Sequence, residues 1–171
     1  MPSFRPAKPL AEIFEIQNPH LFLFELKGHI SNKMYVTHQQ LTNAEQVFEW
    51  LAGIGSAIVG EGFISLFDQY LTPINFPVIC DALSKMGGVR LRDLLSEAWS
   101  IYTRGKEPIT MDDFLSISVR RFNTRELMDR FDQIGDEVMK DIEHQYAVGK
   151  VWAIEYAKLH RDEFEPIKTH D

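Results

Sequence analysis

Between Leu91 and Tyr102 apolar side chains recur at positions 91, 94, 95, 98, 101 and 102, and between Leu127 and Ile142 others recur at 127, 131, 134, 138 and 142. Steps of three and four residues place each set along one side of a helix with ~3.6 residues per turn, whereas a strand would send them to both faces. A helix with one apolar side holds in water only by burying that side, so these two stripes demand further helices to pack against.

Capping residues divide the rest of the chain. Leu10, Ile13 and Phe14 suggest a short first helix. Asn18-Pro19 reads as an N-cap with proline in the first turn, followed by a face of Phe22, Leu23, Leu26 and Ile30. The alternation from Leu21 to Leu26 leaves a strand open there. Thr42 and Glu45 have capping-box spacing ahead of Val47, Leu51, Ile54 and Ile58, a helix expected to end or bend near Gly60. Phe63, Leu66, Phe67 and Tyr70 form another short face, Thr72-Pro73 restarts a helix, Gly87-Gly88 stops it, and Gly105 closes the next. Thr110 with Asp113 opens a helix through Phe114, Ile117 and Phe122, Asn123 with Glu126 opens the next, and a last helix is expected from about Ala147 to Phe164. With no hairpin dipeptide between β-patterned runs, the fold class is all-α, a compact orthogonal bundle of about six to eight helices. Residues 10–171 are expected to form a single helical domain behind a flexible N-terminal arm, 1–9. Its expected core includes Phe63, Phe67, Leu94, Ala98, Phe131 and Ile134.

A chain of 171 residues with 44% apolar residues and 12 phenylalanines suffices for one substantial core. Its single cysteine, Cys80, excludes an internal disulfide framework and a multi-cysteine zinc site, which fits a reducing compartment. Residues 1–10 lack the apolar stretch of a secretory signal, and the run Leu21–Phe24 falls far short of the ~20 apolar residues that span a bilayer. The expected location is cytoplasmic, with no membrane partner.

Chemistry-bearing patterns are sparse. Gly53-Ile54-Gly55-Ser56-Ala57-Ile58 imitates part of a dinucleotide fingerprint, but Ile58 stands at the third glycine position and a helix precedes it, so small residues for close packing are the better reading. His20, His29 and His38 recur every nine residues, a step that turns consecutive members to opposite helical faces. Asp141 and His144 share a face, yet no Glu-x-x-His pair accompanies them. No catalytic residue, metal or cofactor is therefore expected. Cys80, among Val78, Ile79 and Ala82, reads as a packed hydrophobe, and a small enzyme built around it is an alternative that needs a base brought in by the fold.

Charge is distributed unevenly: residues 1–106 carry 10 acids and 9 bases, and residues 107–171 carry 15 acids and 9 bases. Within the acidic part, Asp129, Asp132, Asp136 and Glu143 line a helical face away from the Leu127, Phe131, Ile134, Val138 stripe, and are the candidate partner-binding residues. Arg125 and Lys140, each four residues from an aspartate of the row, could partly neutralise it as ordinary surface pairs, which would make the row a solvated face.

Several of these segments together resemble the DNA-mimic-protein family, whose helical domain is otherwise catalogued as one of unknown function. The resemblance runs from about Phe48 to Pro166. It rests on Val59-Gly60-Glu61-Gly62-Phe63 followed by Phe67 and Tyr70, on Ala82-Leu83 leading into Met86-Gly87-Gly88, and on the helix containing Ala98. Leu127–Phe131 and Tyr146–Phe164 agree more loosely, and the usual Asn-Gly-Gly before the phenylalanine is Gly60-Glu61-Gly62 here. The resemblance implies an all-helical acidic protein, of which at least one relative imitates the charge of DNA to occupy a DNA-binding protein. The expected function is non-enzymatic regulation, of transcription in the first instance, through a basic DNA-binding partner and without direct binding of nucleic acid. An immunity-type or scaffold protein that neutralises a toxin or enzyme is the alternative, and a homodimer is open.

Overall fold

The computed structural model describes residues 8–108, 110–118 and 124–168. Among the described residues nine α-helices follow in order: α1 (Leu10–Ile13), α2 (Pro19–Ser31), α3 (Asn43–Glu61), α4 (Phe63–Ser65), α5 (Asn75–Met86), α6 (Val89–Thr103), α7 (Met111–Ser118), α8 (Arg125–Ala147) and α9 (Trp152–Leu159). Seven of them have eight residues or more, since α1 and α4 are single turns. Among the described residues there is no strand, and the fold is all-α.

Local chemistry sets most boundaries as the capping residues suggest. The Asn18 side chain accepts from Leu21 N–H, and the Thr42 and Glu45 side chains each accept the other's backbone N–H. Thr110 and Asp113 make the same reciprocal pair, at 3.1 and 3.2 Å. Helix α5 ends in a Schellman turn, with Gly88 N–H on the Leu83 carbonyl at 2.7 Å and Gly87 at φ 84°, where a Cβ would be strained.

Several boundaries differ from the sequence reading. Leu21 to Leu26 lies within α2, so the strand alternative is replaced by helix. The N-cap of α8 is Thr124, whose extended backbone at φ −141° lets its hydroxyl accept from Leu127 N–H, in place of the expected Asn123. The closing helix is the shorter α9: α8 runs on to Ala147, and a turn with Gly149 at φ 68° separates the two. Two segments take a wider turn, with Thr37 N–H bonding the Asn32 carbonyl and Leu71 N–H the Leu66 carbonyl, each five residues back. The arm, apart from Lys8 and Pro9, lies outside the described residues, as do Phe122 and residues 169–171.

Helix α3 is the hub, packing against α2, α4, α5, α8 and α9, while α6 packs against α5, α7 and α8. The core is continuous and aromatic. Phe67 stands 5.2 Å from Phe131 and 5.5 Å from Tyr102 between ring centres, and Trp99 is stacked between Phe76 at 4.3 Å and Phe114 at 5.3 Å. Of the six expected core residues, five are buried and Phe63 is half-buried, because it closes the edge of this cluster against Gly135.

Candidate functional site

Among the described residues, an acidic helical face and an apolar hollow are candidate sites for engaging something else. The acidic face lies on α8, whose opposite side buries Phe131, Ile134 and Val138. Asp129, Asp132, Asp136 and Glu143 are all exposed. Asp129 meets Arg125 at 3.9 Å, a pair so exposed that solvent screens most of its attraction. Among the described residues, Asp132, Asp136 and Glu143 have no ion partner, so Lys140 does not neutralise Asp136. Arg130 is drawn away from the row: its Nε and Nη2 donate to the two oxygens of Glu97 on α6, both at 2.7 Å, and its Nη1 to Glu137 at 3.3 Å. Those bonds hold the Glu97 carboxyl below the usual carboxylate range and leave the outer face with its acids.

The hollow lies where α2, α3, α8 and α9 converge and has a volume of about 340 Å³. Its walls are mainly aliphatic, including Leu23, Leu51, Leu83, Leu91 and Ile142. Polar atoms come from few residues: His20, Ser56, Gln145, Tyr146 and Trp152. At its mouth the His20 and Tyr146 rings stack 4.6 Å apart and 9° from parallel. Gln145 is fixed at both ends, donating to Asp141 Oδ2 at 2.9 Å and accepting Trp152 N–H at 3.2 Å. Neither the hollow nor the capture of Trp152 by Gln145 is legible in the sequence, because the contributors lie as far apart as His20 and Ala153. The one local signal was the run of small residues after Leu51, and it marks this wall.

A buried polar network is a further feature, of which the sequence shows only the Thr42–Glu45 capping box. Lys33 and Glu45 are both buried, and Lys33 Nζ donates to the two Glu45 oxygens at 2.9 and 2.8 Å. Glu45 also accepts from the backbone N–H of Thr42 and of Glu165, at 2.8 and 3.0 Å. His29 Nε2 lies 3.2 Å from the Glu165 carbonyl. The cluster ties the C-terminal segment to α2 and α3, a structural role.

Cys80 is half-buried, 3.8 Å from the Ser96 hydroxyl, and burial pushes its thiol up, opposite to the shift that activates a nucleophile. Among the described residues no three His, Cys, Asp or Glu side chains converge as metal ligands, and no helix is long and apolar enough to cross a membrane. Fold and surfaces together define an all-α protein with an acidic helix face and an apolar hollow. No family model, curated protein or solved structure matches the chain.

Proposed function

We propose that the protein is a non-enzymatic regulator that binds a basic, DNA-binding protein through the outer face of α8, offering carboxylates where that partner accepts phosphates. The observation that carries this reading is that Asp132, Asp136 and Glu143 are exposed and, among the described residues, unspent on any cation. The resemblance to the DNA-mimic-protein family, together with the net charge of −7, favours a cationic partner. From Asp129 to Glu143 a helix rises ~21 Å, in steps of ~4.5, ~6 and ~10.5 Å, so the four carboxylates average about 7 Å apart along the axis. One DNA strand carries a charge every ~3.4 Å. The row is thus a sparser copy of a phosphate strand, and a partner that prefers DNA should be displaced from it by duplex.

The test is capture from native lysate on the immobilised protein and on the triple variant Asp129→Asn, Asp132→Asn, Asp136→Asn. The expected product is a basic protein that binds duplex DNA when purified, is lost as salt rises, is displaced by duplex, and is retained at least about tenfold less by the variant. Equal retention by the folded variant, or a captured protein indifferent to DNA, rejects the reading.

A further inference from the structure

We infer that the hollow between α2, α3, α8 and α9 is a binding site for a small, uncharged, flat and largely apolar molecule with one hydrogen-bonding edge. The first ground is what occupies the spaces left by glycines. A Cβ on Gly53 would fall inside the Tyr70 phenol, one on Gly135 would stand 2.8 Å from the Phe63 ring, and one on Gly88 would stand 3.1 Å from Trp152. At each of these three sites an aromatic ring of the chain itself fills the room. Gly55 differs. The nearest heavy atoms to a Cβ there belong to Ile142, at 3.8 Å, and the position lines the hollow beside Ala52 and Ser56. The small residues on this face of α3 therefore hold open a space that no residue of the described chain enters.

The second ground is the chemistry of the lining. A volume of about 340 Å³ falls in the ~300–1,000 Å³ range of small-molecule sites, and an apolar wall with a few fixed polar groups is their usual composition. Trp152 and the stacked His20–Tyr146 pair offer flat faces, while Ser56 and the amide of Gln145 offer hydrogen bonds. Gln145 is already oriented by Asp141 and Trp152, so little side-chain freedom is lost when it meets a ligand. No Lys, Arg, Asp or Glu lines the space, so a charged group buried there would lose its water with no counter-ion among the lining residues. Lys27 and Lys150 stay outside, on the Ser56 hydroxyl and over the Trp152 ring.

The experiment is calorimetric titration of the full chain with 2-naphthol and with 2-naphthoate, repeated on Gly55→Leu and, independently, on Ala52→Leu. Leucine at position 55 projects into the hollow and also favours the helix, so Gly55→Leu should melt no lower than the parent. Expected are saturable 1:1 binding of 2-naphthol, about tenfold weaker binding of 2-naphthoate, and at least a tenfold loss of naphthol affinity in either filled variant that keeps its helical circular dichroism. Absence of saturable naphthol binding to the parent overturns the inference. So does undiminished binding in a folded filled variant, which would place the molecule elsewhere. Preference for naphthoate overturns the uncharged ligand class. None of these results depends on Asp129, Asp132, Asp136 or Glu143.

Discussion

Glu45 spends its carboxylate on four hydrogen bonds: two from Lys33, one from Thr42 N–H and one from Glu165 N–H. As sequence it is the far end of a capping box, and that part was legible. The buried lysine was not, because Lys33 lies in a wide turn whose shape depends on where α2 ends against α3. Removing one member leaves the other charge buried without its counter-ion, so Lys33→Met should destabilise the fold by ~3–5 kcal/mol in urea titration. A cost below ~1 kcal/mol would show that water reaches Glu45. The neighbouring His29 sets a pH dependence. Burial, the dominant influence, pushes its pKa below 6.5; Glu45 and the Glu165 carbonyl act against burial and Lys33 with it. Its Nδ1 is buried without a partner among the described residues. The folded imidazole thus resists a proton that the unfolded chain accepts, so its contribution is complete above pH ~6.5 and is lost as pH falls through the depressed value. Unfolding free energy measured at pH 7.5 and 5.5 should fall, and His29→Gln, which keeps a donor for the Glu165 carbonyl, should lessen that fall. An equal fall in the variant would assign the pH dependence to other groups.

At the scale of elements, helices were readable wherever the apolar period and a side-chain cap agreed, as at α3 and α7, and at α6 the apolar period sufficed without one. They were misread where a turn depends on backbone conformation alone. The separation of α8 from α9 rests on Gly149 at positive φ, while apolar residues continue on both sides of it, so about Ala147 to Phe164 reads as one helix. Glycines inside helices show the same limit, since composition cannot tell a filled notch from an open one. Gly135 and Gly55 lie on facing helices, and each would gain helix propensity of up to ~1 kcal/mol as alanine. At Gly135 the new methyl runs into Phe63, which is wedged between Phe67 and Phe131, so Gly135→Ala should be destabilising by a net ~1–3 kcal/mol. Gly55→Ala meets nothing closer than 3.8 Å and should be neutral or stabilising. Thermal unfolding of the two variants should therefore shift in opposite directions. A shared direction would mean that propensity, or a rearranged core, outweighs the packing described.

Across the whole molecule, 15 of the 25 acidic residues lie beyond residue 106, and the longest helix carries the row that faces outward. That much of the candidate interface was legible, because a period of 3 and 4 places carboxylates opposite an apolar stripe by geometry alone. Withdrawal of Arg130 to Glu97 was not, since it depends on α6 lying beside α8. The Asp129, Asp132, Asp136 triple asparagine variant separates the two consequences of such a surface. Folding should barely respond: exposed substitutions usually stay within ~0.5 kcal/mol each, and relief of like-charge crowding offsets loss of the Arg125 pair. Association with a cationic DNA-binding partner should respond strongly. Charges that steer encounter act before contact, so the association rate constant at low salt should fall, and the plot of its logarithm against salt should flatten. The dissociation rate should change less where the carboxylates sit at a wet rim, and more where they are desolvated against arginine. The same partner should show a steeper salt slope with duplex DNA, whose denser charge releases condensed counterions, than with this protein. Stopped-flow association at several ionic strengths gives all of these slopes, and an unchanged rate and slope in the folded variant would identify the α8 row as a solvated face.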